Sequence, residues 1–342
     1  MGKNSKKVLL IKLSSLGDVI FNIPLAHILK NNGYEVTWLV GEKGYSILNG
    51  NPCVDEVILL PVEKWKKSGN ILANLKEGLE ILSHIRAKRF DICLDTHLRL
   101  KSLLWTRFCG AKRRIVSKSA KEFSILGGNE FIPKFSHDHA VEKYWEYATY
   151  LGLDISEVKF SLPTPEKETQ TSVDGLLHTI DPSKRVILIA PATTWKGKHW
   201  SKDNWKNLVE KFGDSYNIVF TGTKNDEDLI NYIRGGKHLS LAGKTNLNEL
   251  IEVLRRTDLL ISLDSGTTHL ARATEAPKIV SIFCCTPQSF YAPIGAKDRY
   301  ISLQNEVCSP CHHKKCVGTR PYICTTSPDV KSVWSAVKRL LA

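Results

Sequence analysis

No apolar run in the chain approaches the roughly 20 residues that would span a bilayer, so a transmembrane protein is not expected. The basic amino end leads only into the short apolar stretch Val8-Leu9-Leu10-Ile11 before Lys12. That is too short for a secretory core, and a cytoplasmic protein is expected. A G-x-G-x-x-G fingerprint is missing, which removes the main support for a nicotinamide- or flavin-dinucleotide site. Methionine occurs once against nine cysteines. In a cytosolic chain those cysteines read as thiols or metal ligands rather than disulfides. Acid is absent from Thr96 to Lys121, a stretch carrying eight Lys/Arg.

What is present describes a packed protein of two domains. Of 342 residues, 42% are hydrophobic and 24% charged, which excludes disorder, collagen and coiled coil. The net charge of +13 and the basic run Arg99, Lys101, Arg107, Lys112, Arg113, Arg114, Lys118 and Lys121 would attract an anion. That anion is nucleic acid, an anionic membrane or an acidic small substrate, unless the run is only a solvated face.

Two segments open alike, an apolar strand running into a polar loop and a helix. The first is the strand Lys7 to Leu13, then Ser14-Ser15-Leu16-Gly17-Asp18 and a helix from Val19 to Asn31, followed by a strand from Glu35 to Val40. The second is the strand Arg185 to Ala190, a loop from Pro191 to His199 and a helix capped by Ser201. Further strands are predicted at Phe90–Leu94, Tyr216–Thr221, Asp258–Leu263 and Lys278–Phe283. Helices are predicted at Asn70–Ala87, Asp226–Arg234 and Leu247–Arg256. This alternation predicts parallel sheets with crossover helices. The polar, Pro-bearing stretch Leu162–Ser172 reads as the linker. The expected architecture is α/β, two Rossmann-like domains facing across a cleft with ligands at the carboxyl ends of strands.

Five segments could carry chemistry. Asp18 stands at a helix start, where the dipole favours its ionised form and makes it able to accept a proton; a merely helix-stabilising acid has the same signature. Thr193, Thr194, Lys196 and Lys198 in the loop after Ala190 suit a phosphate, or form an ordinary polar loop. The cluster Asp264-Ser265-Gly266-Thr267-Thr268-His269 ends an apolar strand, with a glycine and helix-onset donors that fit a phosphate. Asp226-Glu227-Asp228 resembles a D-x-D metal triplet but reads as a helix terminus, with Asp226 able to hold a ribose hydroxyl and no metal. Near the end, Cys308, Cys311, Cys316 and Cys324 have C-x2-C-x4-C-x7-C spacing beside His312 and His313. A compact turn of reduced thiols is favoured over zinc or a cluster.

Together the motifs resemble glycosyltransferase family 9, the lipopolysaccharide heptosyltransferases. The resemblance rests on V-L-L-I-K-L-S-S-L-G-D-V (Val8 to Val19) and A-T-T-W-K-G-K-H-W (Ala192 to Trp200). It rests also on L-A-G-K-T-N-L (Leu241 to Leu247), D-S-G-T-T-H-L-A (Asp264 to Ala271) and the late C-S-P-C. It implies a GT-B fold with an acceptor-binding domain over 1–165 and a nucleotide-sugar-binding domain over 180–342, whose last helix is free to pack back on the first. It implies a metal-independent, inverting transfer from ADP-heptose to the anionic inner core of lipopolysaccharide, without a cofactor, at the inner face of the inner membrane. By position, Asp18 would be the general base. Lys198 with Thr193 and Thr194 would hold the diphosphate, Asp226 the ribose, and backbone at Ala242 and Gly243 the adenine. Asp264, Gly266, Thr267, Thr268 and His269 would contact sugar and phosphates. Acceptor contacts would come from Lys64, Lys66, Lys67, Arg99, Lys101, Lys121 and His139. The chain departs from the family at Asp95-Thr96-His97, where glutamine and glycine often follow the acid. Another nucleotide sugar or acceptor within the family is one alternative. A non-catalytic nucleotide- or nucleic-acid-binding protein is another, although the basic run lacks a groove-reading or aromatic motif.

Overall fold

Strands such as Val8–Ile11 and Val186–Ala190 are buried along their whole length, as expected where helices cover both faces of a parallel sheet. The computed structural model describes residues 5–157, 159–308, 310–311 and 313–342. The chain divides into two units, Met1–Thr164 and Pro165–Ala342. The first holds β1 (Lys7–Ile11), β2 (Glu35–Gly41), β3 (Glu56–Leu60), β4 (Ile92–Asp95), β5 (Arg113–Ser117) and β6 (Glu130–Ile132). The second holds β7 (Val186–Ala190), β8 (Asn217–Phe220), β9 (Leu239–Ser240), β10 (Leu259–Leu263), β11 (Lys278–Phe283) and β12 (Tyr300–Gln304).

Both sheets are six-stranded and parallel, in the orders β3-β2-β1-β4-β5-β6 and β12-β11-β10-β7-β8-β9. Numbered from its own first strand and read from the β9 edge, the second sheet repeats the order of the first. Each therefore has one place where the strand order reverses, between β1 and β4 and between β7 and β10. Ligands of such sheets bind outside the carboxyl ends of the strands at that switch point. Register brings the chain ends there level: Ile11 pairs with Asp95, and Ser262 with Ala190.

The stretch Leu162–Ser172 is not linker throughout. A helix covers Lys167–Leu177, buries Val173 and Leu177 and is tied to its own unit where Arg256 donates to Asp174 Oδ1 and Ser172 Oγ donates to Glu249 at 2.6 Å. The polar composition hid an amphipathic helix with a narrow apolar stripe. The last helix, Val330–Leu341, buries Val333, Ala336, Val337 and Leu340 and packs on β11 and the Lys202–Glu210 helix of its own unit. Phe212 meets Trp334 edge-on with ring centroids 4.9 Å apart. Among the described residues no helix is long and apolar enough to cross a membrane.

Candidate active site

In the first unit the switch point is built from the loops after β1 and β4. Lys12 follows β1 directly, its N–H donates to the Leu39 carbonyl at 3.2 Å, and its side chain is buried at 5% exposure. Its ammonium donates to the Thr96 carbonyl at 3.1 Å and to the Tyr144 hydroxyl at 2.7 Å, and lies 3.7 Å from Asp18 Oδ1. Asp18 sits in the first turn of the Leu16–Asn31 helix. Its two oxygens have separate duties. Oδ2 accepts from the N–H and the hydroxyl of Ser15, both at 3.0 Å, closing a capping box. Oδ1 faces Lys12 and accepts from the Tyr144 hydroxyl at 3.4 Å. The side chain keeps 41% exposure.

Burial would push the Asp18 carboxyl up. The Lys12 charge first, then the two Ser15 donors, outweigh it and hold the carboxyl below its usual range. Burial likewise pulls Lys12 below an ordinary lysine, against the opposing pull of Asp18 and Asp95. Asp95 itself is fully buried and its carboxyl is pushed up by that burial. It shapes the loop by accepting from the N–H groups of His97 and Leu98 and from the Ser102 and Thr106 hydroxyls, at 2.7–3.1 Å.

His97, held beside this group, is 9% exposed, and neither ring nitrogen has a hydrogen-bond partner among the described residues. Burial first, then the Lys12 charge, lowers it to about 4, so it is a neutral imidazole at pH 7. An unpaired buried ring beside Asp18 is a polar group in want of a partner.

The acceptor candidates fall into two sets. Arg99 and Lys101 act electrostatically on His97, and the Lys121 N–H donates to Leu98 O at 3.1 Å, so these bases belong to the β4 and β5 loops at the switch point. His139 caps the Ala140–Tyr150 helix, accepting at Nδ1 from the Val141 N–H at 3.3 Å. That helix also supplies Tyr144. Lys64, Lys66 and Lys67 lie instead on the Val62–Ser68 helix after β3, with Lys64 paired to Glu77 at 2.8 Å. The basic run is less free than its sequence implies. Arg99 pairs with Glu122, Lys112 with Asp91 and Arg113 with Glu130, and Arg114 donates to the Gly127 and Ala111 carbonyls. Acids distant in sequence, or just past its end, neutralise three of its eight bases.

In the second unit the switch point joins the loops after β7 and β10. Asp264 is 3% exposed. Its Oδ2 accepts from the Lys198 ammonium at 2.6 Å and the Thr286 hydroxyl at 2.7 Å, and its Oδ1 lies 3.6 Å from His269 Nε2. Burial opposes ionisation, but the His269 hydrogen bond and the Lys198 charge overcome it and hold the carboxyl far below its usual range. Lys198 also lies over the Trp195 ring, 4.6 Å from its centroid. Thr193 donates its hydroxyl to Asp264 O at 3.3 Å, and its carbonyl lies 2.7 Å from His199 Nε2, while Thr194 stands exposed. The helix Gly266–Thr274 starts here and presents its first N–H groups. Thr268 is turned inward: its fully buried hydroxyl engages Ser262 Oγ at 2.8 Å and the Leu263 carbonyl. Gly266 and Thr267 remain partly exposed.

Beyond β8 and β9 the chain brings Asp226 beside Gly222, whose carbonyl accepts from Gly243 N–H at 2.9 Å. Gly243 has φ +66, and a Cβ there would meet the Lys224 backbone at 3.1 Å, so only glycine fits. Ala242 is buried. Asp226 accepts at Oδ2 from the Thr223 N–H and hydroxyl at 2.8 and 2.7 Å, a helix-terminus role. All nine cysteines are free. Burial pushes the Cys285 thiol up to about 11, and Cys324 packs against the Gly197 carbonyl. Among the described residues no three His, Cys, Asp or Glu are grouped to hold a metal; Ser309 and His312 of the late motif lie outside those residues.

Lys12, Tyr144, His97 and Thr286 are site neighbours that the motifs did not single out. A lysine closing the apolar run Val8–Ile11 was a signal for the first. Tyr144 and Thr286 have none, because only folding brings them near.

The model of glycosyltransferase family 9 (heptosyltransferase) matches residues 79–320. The chain belongs to this family. It is similar to lipopolysaccharide heptosyltransferase 1 of Pseudomonas aeruginosa, 26% identical over 321 residues that cover 91% of this chain and 87% of that protein. The glycosyl transferase family 9 structure from Veillonella parvula matches with a TM-score of 0.85 and 22% identity, covering 100% of this chain and 98% of that one. Escherichia coli heptosyltransferase WaaC with ADP-2-deoxy-2-fluoro heptose matches with a TM-score of 0.73 and 20% identity, covering 97% and 99%. The fold is thus the GT-B-like α/β fold of family 9, and the protein is a glycosyltransferase by family.

Proposed function

We propose that this family 9 protein is an inverting transferase that moves a heptose from ADP-heptose to an anionic inner-core sugar of lipopolysaccharide, working peripherally at the inner face of the inner membrane. The observation that carries the reading is Asp18, an ionised and half-exposed carboxylate whose Oδ1 is held by Lys12 and Tyr144 at the β1–β4 switch point. The Pseudomonas relative's name and the sugar nucleotide in the WaaC structure support the choice of donor and acceptor. In the proposed step the acceptor hydroxyl attacks the anomeric carbon, its proton passes to Asp18, and the bond from that carbon to the diphosphate oxygen breaks. ADP departs carrying the electron pair. Lys198 and the N–H groups of Gly266 and Thr267 offset its growing charge, a task that needs no divalent metal. Thr193 and Thr194 would flank the diphosphate, Asp226 the ribose, Ala242 and Gly243 the adenine. Asp264 and His269 would hold Lys198 and the sugar. Arg99, Lys101, Lys121 and His139 would meet the acceptor's carboxylate and phosphates, with Lys64, Lys66 and Lys67 further out.

The test is to incubate the protein with ADP-heptose and an inner-core oligosaccharide in EDTA, measuring ADP release and product mass. ADP release with a product heavier by one heptose is expected. Transfer only after magnesium is restored would overturn the metal-free step. Turnover only with another nucleotide sugar would overturn the donor.

A further inference from the structure

The Ile71–Ala87 helix buries only Ile85, although it is rich in leucine and isoleucine. At about 100° per residue, Ile71, Leu72, Leu75 and Leu79 fall within an arc of about 100°. They are 58–80% exposed. The neighbouring helix, Leu100–Phe108, carries a second exposed ridge at four-residue spacing, Leu100, Leu104 and Phe108. The two helices meet at Gly78, where an added Cβ would touch the Trp65 and Trp105 rings at 3.6 and 3.9 Å. The turn Ser124–Gly127 packs on the second helix through Gly127 and adds Phe123 and Leu126, 78% and 65% exposed. Scattered exposed leucines need no explanation, but nine large apolar side chains on three adjoining elements form a face.

The charge on and beside these elements says what covers it. Lys66 and Lys67 precede the first helix, Lys101 and Arg107 lie on the second, and Lys118 and Lys121 lead into the turn. Among the described residues none of these six is within 4.0 Å of a carboxylate. The local acids Glu77, Glu80 and Glu122 already face Lys64, Lys76 and Arg99. Unpaired bases around an apolar face suit an anionic bilayer, whose headgroups take the charge and whose acyl boundary takes the leucines. A second copy of the chain would instead set like charges against each other across a twofold axis.

We infer that the face formed by Ile71, Leu72, Leu75, Leu79, Leu104 and Phe123 inserts into an anionic membrane surface, with Arg107 and Lys118, which the proposed reaction leaves unassigned, on its headgroups. This deepens the proposed function by naming how the protein reaches a lipid-linked acceptor. The test uses the full chain with vesicles of phosphatidylglycerol and phosphatidylcholine, and with phosphatidylcholine alone. The readout is co-sedimentation at about 0.1 M and about 1 M salt, over which the Debye length shrinks from about 10 to about 3 Å. Wild type should bind the anionic vesicles, less so at high salt, and bind the neutral ones weakly. The triple variant Leu72→Ser/Leu75→Ser/Leu104→Ser should bind anionic vesicles at least about tenfold more weakly. Its thermal midpoint and its turnover on a soluble, deacylated acceptor should match wild type.

Absence of wild-type binding would overturn the inference. So would a triple variant that binds as well as wild type, or a wild-type dimer in ultracentrifugation that this variant dissociates. Vesicle binding without turnover on the soluble acceptor would leave the face standing and sink the proposed reaction. Turnover without vesicle binding would do the reverse.

Discussion

Replacing Lys198 with methionine should both destabilise the second unit and cripple donor binding. At 2.6 Å and an effective dielectric near 20, the Lys198–Asp264 attraction is roughly 6 kcal/mol before desolvation. The intact pair contributes far less, because removing two ions from water takes back several kcal/mol. Removing only the lysine is different. Asp264 stays buried at 3% exposure with the Thr286 hydroxyl at 2.7 Å and His269 at 3.6 Å as its remaining polar partners. A broken buried pair costs about 3–5 kcal/mol, and these partners place the cost at the lower end, about 3 kcal/mol. For a unit of this size that lowers the thermal midpoint by roughly 6–12 °C. The assay is calorimetric unfolding of the full chain with Lys198→Met, Asp264→Asn and the double variant. The two single costs should fail to add, with a coupling of at least about 1 kcal/mol. A midpoint within about 2 °C of wild type, or additive single effects, would refute the reasoning. In titration calorimetry the same lysine variant should bind ADP at least about tenfold more weakly.

Asp18→Asn keeps the shape of the β1 loop and removes its basicity, so kcat should fall about 100- to 10,000-fold with ADP affinity unchanged; a residual rate above about a tenth would move the role elsewhere, to His139 first. His97 is lowered to about 4 in the folded chain against about 6.5 unfolded. Its stabilising contribution is therefore full above pH 6.5 and lost as pH falls towards 4, on the order of 3 kcal/mol; chemical denaturation across that range should show the loss, and His97→Phe should flatten it. Charge reversal at Arg99 and Lys101 should raise the acceptor KM about tenfold or more and leave the donor KM unchanged. Equal effects on both substrates would show that those bases serve structure alone.

The duplicated architecture was legible because its signals are local. Apolar runs such as Val8–Ile11 and Ile187–Ala190 have no polar face to alternate, so they announce strands buried on both sides. Ser201 announces the helix it caps, and its side chain accepts the Asn204 N–H; Asn70 and Asn246 are found capping their helices in the same way. Where local chemistry and tertiary role diverge, the reading failed. β5 begins Arg113-Arg114 inside the basic run, and charges at a strand's edge mask its buried Ile115-Val116-Ser117. Residues Lys167–Ser172 look like linker until Arg256 and Glu249, far along the chain, give them partners.

By itself, then, the sequence determined seven of the twelve strands, β1, β2, β4, β7, β8, β10 and β11, together with the loops that hold Asp18, Lys198 and Asp264. Caps, turns and buried runs are written over a few residues, and so are the family motifs. Tertiary structure alone decided what state those residues are in. Asp18 is ionised because Lys12 and Ser15 outweigh its burial, and Asp264 because Lys198, His269 and Thr286 converge on it from three separate segments. His97 is neutral because it is buried beside three cations. Such states depend on distances of a few ångströms between groups up to 126 residues apart, as with Tyr144 and Asp18. Electrostatic interaction depends on distance and burial in space, and no spacing along the chain encodes either.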